Sequence, residues 1–147
     1  MSDILKSIAS IRTAGVIDGL RVLVADSVAF GTTEHVGTIV VCGSHGGRSA
    51  GEYARRYGYA ALLTSDAGIG RNDAGIAGLR DLDEVDVPGV GISHVSARIG
   101  DGDDVWENGV VSYANRCASL CGVLLGQTTQ EAVTAIAAGI RTRKVDA

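Results

Sequence analysis

Proline occurs once in the 147 residues, at Pro88, while glycine occurs 21 times. That imbalance excludes a Pro/Gly-rich linker and puts the glycines in turns and at close backbone approaches. Base is not concentrated either. The net charge is −4, and only the tail Arg141-Thr142-Arg143-Lys144 is dense in it. Four residues at a chain end do not make the patch that phosphate neutralisation requires, so nucleic acid is not an expected partner. No apolar run reaches the ~18 residues that span a bilayer. Met1 to Lys6 lacks the charged start and apolar stretch of a signal peptide. The membrane is therefore not an expected partner, and the expected location is the cytoplasm. The cysteines, Cys42, Cys117 and Cys121, are odd in number and are expected as reduced thiols behaving as small core residues.

Several motifs are missing too. No Gly-x-x-x-x-Gly-Lys-Ser/Thr loop occurs, and Gly43-Ser44-His45-Gly46-Gly47 does not fit Gly-x-Gly-x-x-Gly, so a nucleotide fold is not indicated. Neither Ser44 nor Ser93 lies in a Gly-x-Ser-x-Gly elbow. Asp101-Gly102-Asp103-Asp104 lacks the spacing and final glutamate of an EF-hand loop, so helix capping accounts for it better.

What is present suffices for a core: 46% of residues are hydrophobic and 20% charged. One domain, residues 1–147, can bury that core without staples. Short Val/Ile/Leu runs alternate with helical patterns, the mark of a parallel sheet with crossover helices. The expected strands are 21–26, 36–43, 60–65 and 87–93. The first two are expected to pair as neighbours through a turn near Gly31, one of them antiparallel, because 27–35 is too short for a crossover helix. Helices are expected over 2–13, from a Ser49/Glu52 capping box to Gly58, from Asn72 or Asp73 to Val85, from Asp103 to Leu120 with Cys117 and Cys121 on one face, and from a Thr128/Glu131 capping box onward. The fold class is α/β: a three-layer sandwich, a mostly parallel sheet of about four strands, helices on both faces and a helical C-terminal third.

Three expected strands end in polar, Gly-rich loops. Ser44-His45-Gly46-Gly47-Arg48 follows the second, Asp66-Ala67-Gly68 the third, and His94-Val95-Ser96-Ala97-Arg98 the fourth. Parallel strands would bring all three loops to the carboxyl edge, where α/β sheets bind ligands. His45, Asp66, His94 and Ser44 are the catalytic candidates. Histidine titrates near neutrality and a carboxylate can orient it or act as a base. Gly46 and Gly47 would admit a ligand close to the backbone. Arg48, Arg71 and Arg98 suit a carboxylate, and Asp73 is a helix-start residue beside them. His45, Asp66 and His94 are also the candidate ligands of a divalent metal, although no cofactor is required by the sequence. Cys42 as a nucleophile is outweighed by core packing. Ser44-His45-Gly46-Gly47 after a strand resembles the histidine turn of caspase-like cysteine peptidases. Asp66 stands where those enzymes need a cysteine, which rules the reading out.

These residues imply a hydrolase or lyase acting on a small carboxylate-bearing metabolite by His/Asp acid–base chemistry, with or without a metal. The competing expectation is a non-catalytic ligand-binding module or a homo-oligomeric assembly, packed through the small-residue helices after Asp103.

Overall fold

In a computed structural model, residues 11–30 and 33–146 are described. The expected helix over 2–13 lies mostly outside that range. Its last residues, Arg12 and Thr13, are strand instead, in β1 (Arg12–Ile17). Asp18 and Gly19, both at positive φ, turn the chain into β2 (Leu20–Ala25), with Ile17 opposite Leu20. A two-residue Asp-Gly loop of that conformation matches the twist of the strands it joins.

The sheet continues through β3 (Ile39–His45), β4 (Ala61–Ser65), β5 (Gly89–Ile92) and β6 (Val111–Ala114), and its spatial order is the chain order. β2 to β5 are parallel, and β1 and β6 are antiparallel edges. The sheet is thus mixed and six-stranded, larger than the expected four. The expected antiparallel pairing of the second strand with the first is also corrected: Val22 faces Ile39 in parallel register. β3 starts at Ile39, not Val36, so residues 26–38 are long enough for a crossover built from two 3₁₀ turns, Val28–Phe30 and Thr33–His35.

Helix α1 (Arg48–Tyr57) joins β3 to β4 and ends on left-handed Gly58. Its N-cap is Gly47 with no side-chain cap, so the Ser49/Glu52 box does not form. Helix α2 (Ala77–Asp81) is short, with a 3₁₀ turn (Arg71–Asp73) before it and another (Leu82–Val85) after it. Asn72 and Asp73 lie at positive φ and do not cap it. The expected 103–120 helix is three elements: α3 (Gly102–Asn108), β6 and α4 (Arg116–Leu120). Asn108-Gly109 stops the first, and Asn115 caps the last by accepting the Ala118 N–H at 2.9 Å. The apolar positions kept a helical spacing across these breaks, which hid the strand. Asp101 does cap α3, accepting from Asp104 N–H. Thr128 and Glu131 exchange both capping bonds at the start of α5 (Thr129–Asp146), at 3.0 and 3.1 Å.

Alternate strand residues feed two apolar clusters. Val22, Val24, Ile39, Val41, Leu63 and Ile92 pack with Val105 of α3, Ala118 of α4 and Val133 and Ile136 of α5. Val40, Cys42 and Leu62 point the other way, onto Ala50 and Ala54 of α1 and Leu79 of α2. Helices therefore cover both faces. A fully buried Leu or Ile contributes about 1.5–3 kcal/mol by leaving water, and the period of two makes each strand serve both layers. Among the described residues no helix is long and apolar enough to cross a membrane.

Candidate active site

The parallel strands put Asp26, Ser44-His45, Asp66 and Ser93-His94 on one sheet edge, at the carboxyl ends of β2 to β5. Because the strand order never reverses, this edge has no switch-point crevice of the doubly wound kind. The candidates consequently divide into two places.

The first centres on Asp66. Its side chain is 6% exposed and accepts four contacts. Oδ1 takes the Gly68 N–H at 2.7 Å, the His94 N–H at 3.1 Å and the His94 ring at Nδ1 at 3.3 Å. Oδ2 takes the Ser112 hydroxyl at 2.6 Å. Burial pushes the Asp66 carboxyl up, but Ser112, the two backbone N–H groups and the His94 imidazole outweigh it and hold it below its ordinary value of 3.8. A carboxylate only accepts, so His94 presents Nδ1–H to it and keeps the Nε2 lone pair for solvent. The ring is 53% exposed and lies over Gly68, where a Cβ would come within 3.4 Å of Cε1. Asp66 thus fixes an accessible imidazole in one orientation.

Ser112 was not a sequence candidate. It was hidden inside the expected 103–120 helix, and the Val111-Ser112-Tyr113 run was the only signal of a strand there. Its hydroxyl donates to Asp66, not to a histidine, so the trio is not a nucleophilic serine triad.

The second place is His45. It ends β3 opposite Ser65 and accepts the Gly47 N–H on Nδ1 at 3.1 Å. The neutral ring therefore carries its proton on Nε2, the reverse of His94. His45 forms a wall of two clefts. One, of about 590 Å³, is lined by Asp26, Ser27, Ser44, Tyr53, Ile99 and others. The other, of about 450 Å³, is lined by Gly47, Arg48, Arg71, Asn72, Ala74 and Ala77. Neither is lined by Asp66 or His94. Ser44 accepts the Val28 N–H on Oγ at 3.0 Å, which ties the β2 crossover to β3. Gly46 is a packing residue: a Cβ there would meet Thr64 Oγ1 and Leu79.

Arg48 and Arg71 share the smaller cleft, with Arg48 3.8 Å from Asp81. Asp73 pairs with Arg80 at 3.4 Å, and Arg98 lies apart beside Asp101, Asp103, Asp104 and Glu107. Cys42 is fully buried, and burial pushes its thiol up to about 12, so it is a core residue in character. Among the described residues no three His, Cys, Asp or Glu side chains are placed to share a metal ion. Asp66 directs both oxygens at N–H and O–H donors, and His45 stands in another cleft, so the three expected ligands are not gathered at one point.

The chain matches no protein-family model, no curated protein and no solved structure. Its functional reading rests on this geometry.

Proposed function

We propose that the chain is a small-molecule enzyme of the hydrolase or lyase type, acting on a small carboxylate-bearing metabolite by His/Asp acid–base chemistry. The observation that carries this is the Asp66–His94 pair: a buried, ionised carboxylate holding Nδ1 of a half-exposed imidazole at a strand-end loop. In this reading His94 Nε2 takes a proton from substrate or water, and Asp66 stabilises the imidazolium that forms. Ser112 and the Gly68 N–H position Asp66. Arg48 and Arg71 line a separate cleft with His45, and their guanidinium groups are the reason for assigning a carboxylate to the metabolite. His45 supplies an Nε2–H donor beside them.

The test is turnover of a panel of carboxylate-bearing esters, amides and hydroxy acids by wild type, His94→Gln and Asp66→Asn. General-base loss predicts a fall of about 100-fold or more in kcat for His94→Gln with little change in KM. A wild-type activity that survives His94→Gln intact would refute the assignment.

One observation favours assembly as a second reading. Leu120 at the end of α4, and Leu124 and Leu125 between α4 and α5, are each about two-thirds exposed or more. Of the small residues after Asp103, Ala132 and Ala137 of α5 are buried in this chain's own core, while Ser119 and Ala138 are exposed. Light scattering of wild type against Leu124→Asp decides whether these leucines join copies.

A further inference from the structure

The 590 Å³ cleft on the Asp26 side of His45 has a chemistry different from the Arg48–Arg71 cleft. Asp26 lines it, and among the described residues neither lysine nor arginine does. Its other walls are apolar, from Val28, Ala29, Ala50, Ile99 and the Tyr53 ring, with the hydroxyls of Ser27, Ser44 and Ser49 between them. The start of α1 brings partial positive charge near Ser49. At about half an elementary charge spread over a helix end, it is smaller than a full carboxylate.

The cleft floor is built without freedom to collapse. A Cβ on Gly43 would collide with the backbone of Gly100 and Asp101, and one on Gly102 would collide with the Ala25 carbonyl. Gly100 N–H bonds Gly43 O at 2.7 Å. These contacts lock the ends of β2 and β3 against segment 100–102. Within that lock the Gly102 N–H donates to Asp26 Oδ1 at 2.9 Å. One carboxylate oxygen is fixed by the fold, and Asp26 is an exposed residue at the cleft wall. A preformed anionic group beside apolar walls selects a cation carried on an apolar body.

We infer that this cleft binds a small organic ammonium compound, its charged nitrogen on Asp26 and its apolar part against Tyr53, Val28 and Ile99. The site is independent of the Asp66–His94 reading and stands or falls without it.

Three probes of one shape separate the contributions: phenethylamine, phenethyl alcohol and phenylacetate. Binding is followed by NMR titration of amide shifts in the full chain. Phenethylamine is expected to shift the amides of residues 26–28, 44–45 and 99–100 and to bind about ten-fold tighter than the alcohol, the scale of one charge-assisted contact. Phenylacetate is expected to bind more weakly than either. Asp26→Asn keeps an acceptor for Gly102 N–H and should bring the amine down to the alcohol's affinity while leaving the alcohol unchanged. The amine-to-alcohol comparison on wild type stands even if that variant folds poorly. Equal binding of amine and alcohol, tighter binding of phenylacetate, or amine-induced shifts confined to other parts of the chain would overturn the assignment.

Discussion

Removal of the Asp66 carboxylate is the sharpest perturbation available. Asp66→Ala strips the acceptor from the Gly68 N–H, the His94 N–H, the His94 ring and the Ser112 hydroxyl at once. Hydrogen bonds to a charged group are worth about 1.5–3 kcal/mol each, and an orphaned donor costs about 1–3. Water can reach the half-exposed His94 ring and part of the loop, so the four do not sum. A loss of about 3–5 kcal/mol is expected, a large part of the ~5–15 kcal/mol that a domain possesses. Asp66→Asn keeps Oδ1 for the backbone donors, and Ser112 can turn its proton to Gly91 O, 3.3 Å away. Its cost should be about 1–2 kcal/mol.

Urea unfolding measures both variants, the midpoint moving by roughly 2 M for Asp66→Ala if the slope is about 2 kcal/mol per molar. The pH dependence gives a second check. The Asp66 carboxyl lies below its ordinary value of 3.8 in the folded chain, so the unfolded chain binds its proton first as pH falls. The stabilisation is therefore complete well above 3.8 and is lost as pH falls through that value toward the folded one. Through Asp66's own titration, the gap between wild type and Asp66→Asn should narrow below about pH 4. An Asp66→Ala cost under about 1 kcal/mol, or a gap that does not narrow below about pH 4, would refute the account of this cluster.

Gly19→Ala should cost about 1–2 kcal/mol by thermal melting, because φ is +82° there while nothing lies within 4 Å of the new methyl. Thr128→Ala should cost about 1 kcal/mol in the same assay through loss of the bond to the Glu131 N–H. Iodoacetamide followed by mass mapping at pH 8 should leave Cys42 unmodified in the native chain and modify half-buried Cys121 first, since the Cys42 thiol is buried and pushed up to about 12.

The sequence displayed the central strands well, because Leu62 and Leu63, or Val40 and Val41, are buried on opposite faces and read as unbroken apolar runs. It displayed Asp66 and His94 as neighbours because strand ends in parallel register share an edge. Two things were hidden. The Val110, Tyr113, Ala114, Cys117 spacing imitates a helix, and only Asn108-Gly109 and Asn115 break it, so β6 and with it Ser112 were lost. The separation of His45 from His94 was hidden as well. It depends on side-chain choices: His45 closes its own turn on Gly47 N–H, while His94 turns to Asp66. Local hydrogen bonds of that kind leave no periodic trace. The Asp18-Gly19 signal of a hairpin was legible and marks where β1 could have been found.

The monotonic strand order explains why the carboxyl edge is furnished as it is. Each crossover from β3 to β5 steps one strand in the same direction, so α1 and α2 fall on one face of the sheet. The opposite face must then be covered by the chain beyond β5. To reach it, segment 93–101 crosses the carboxyl edge from β5 back to β3 and β2, where Gly100 bonds Gly43 and Gly102, the first residue of α3, bonds Asp26. That one return segment carries His94 at its start and Ile99-Gly100 at its end. It therefore sets the imidazole over Gly68 and walls the cleft at Asp26. The two candidate sites are separate because a single connection, required to close the second hydrophobic layer, passes over both.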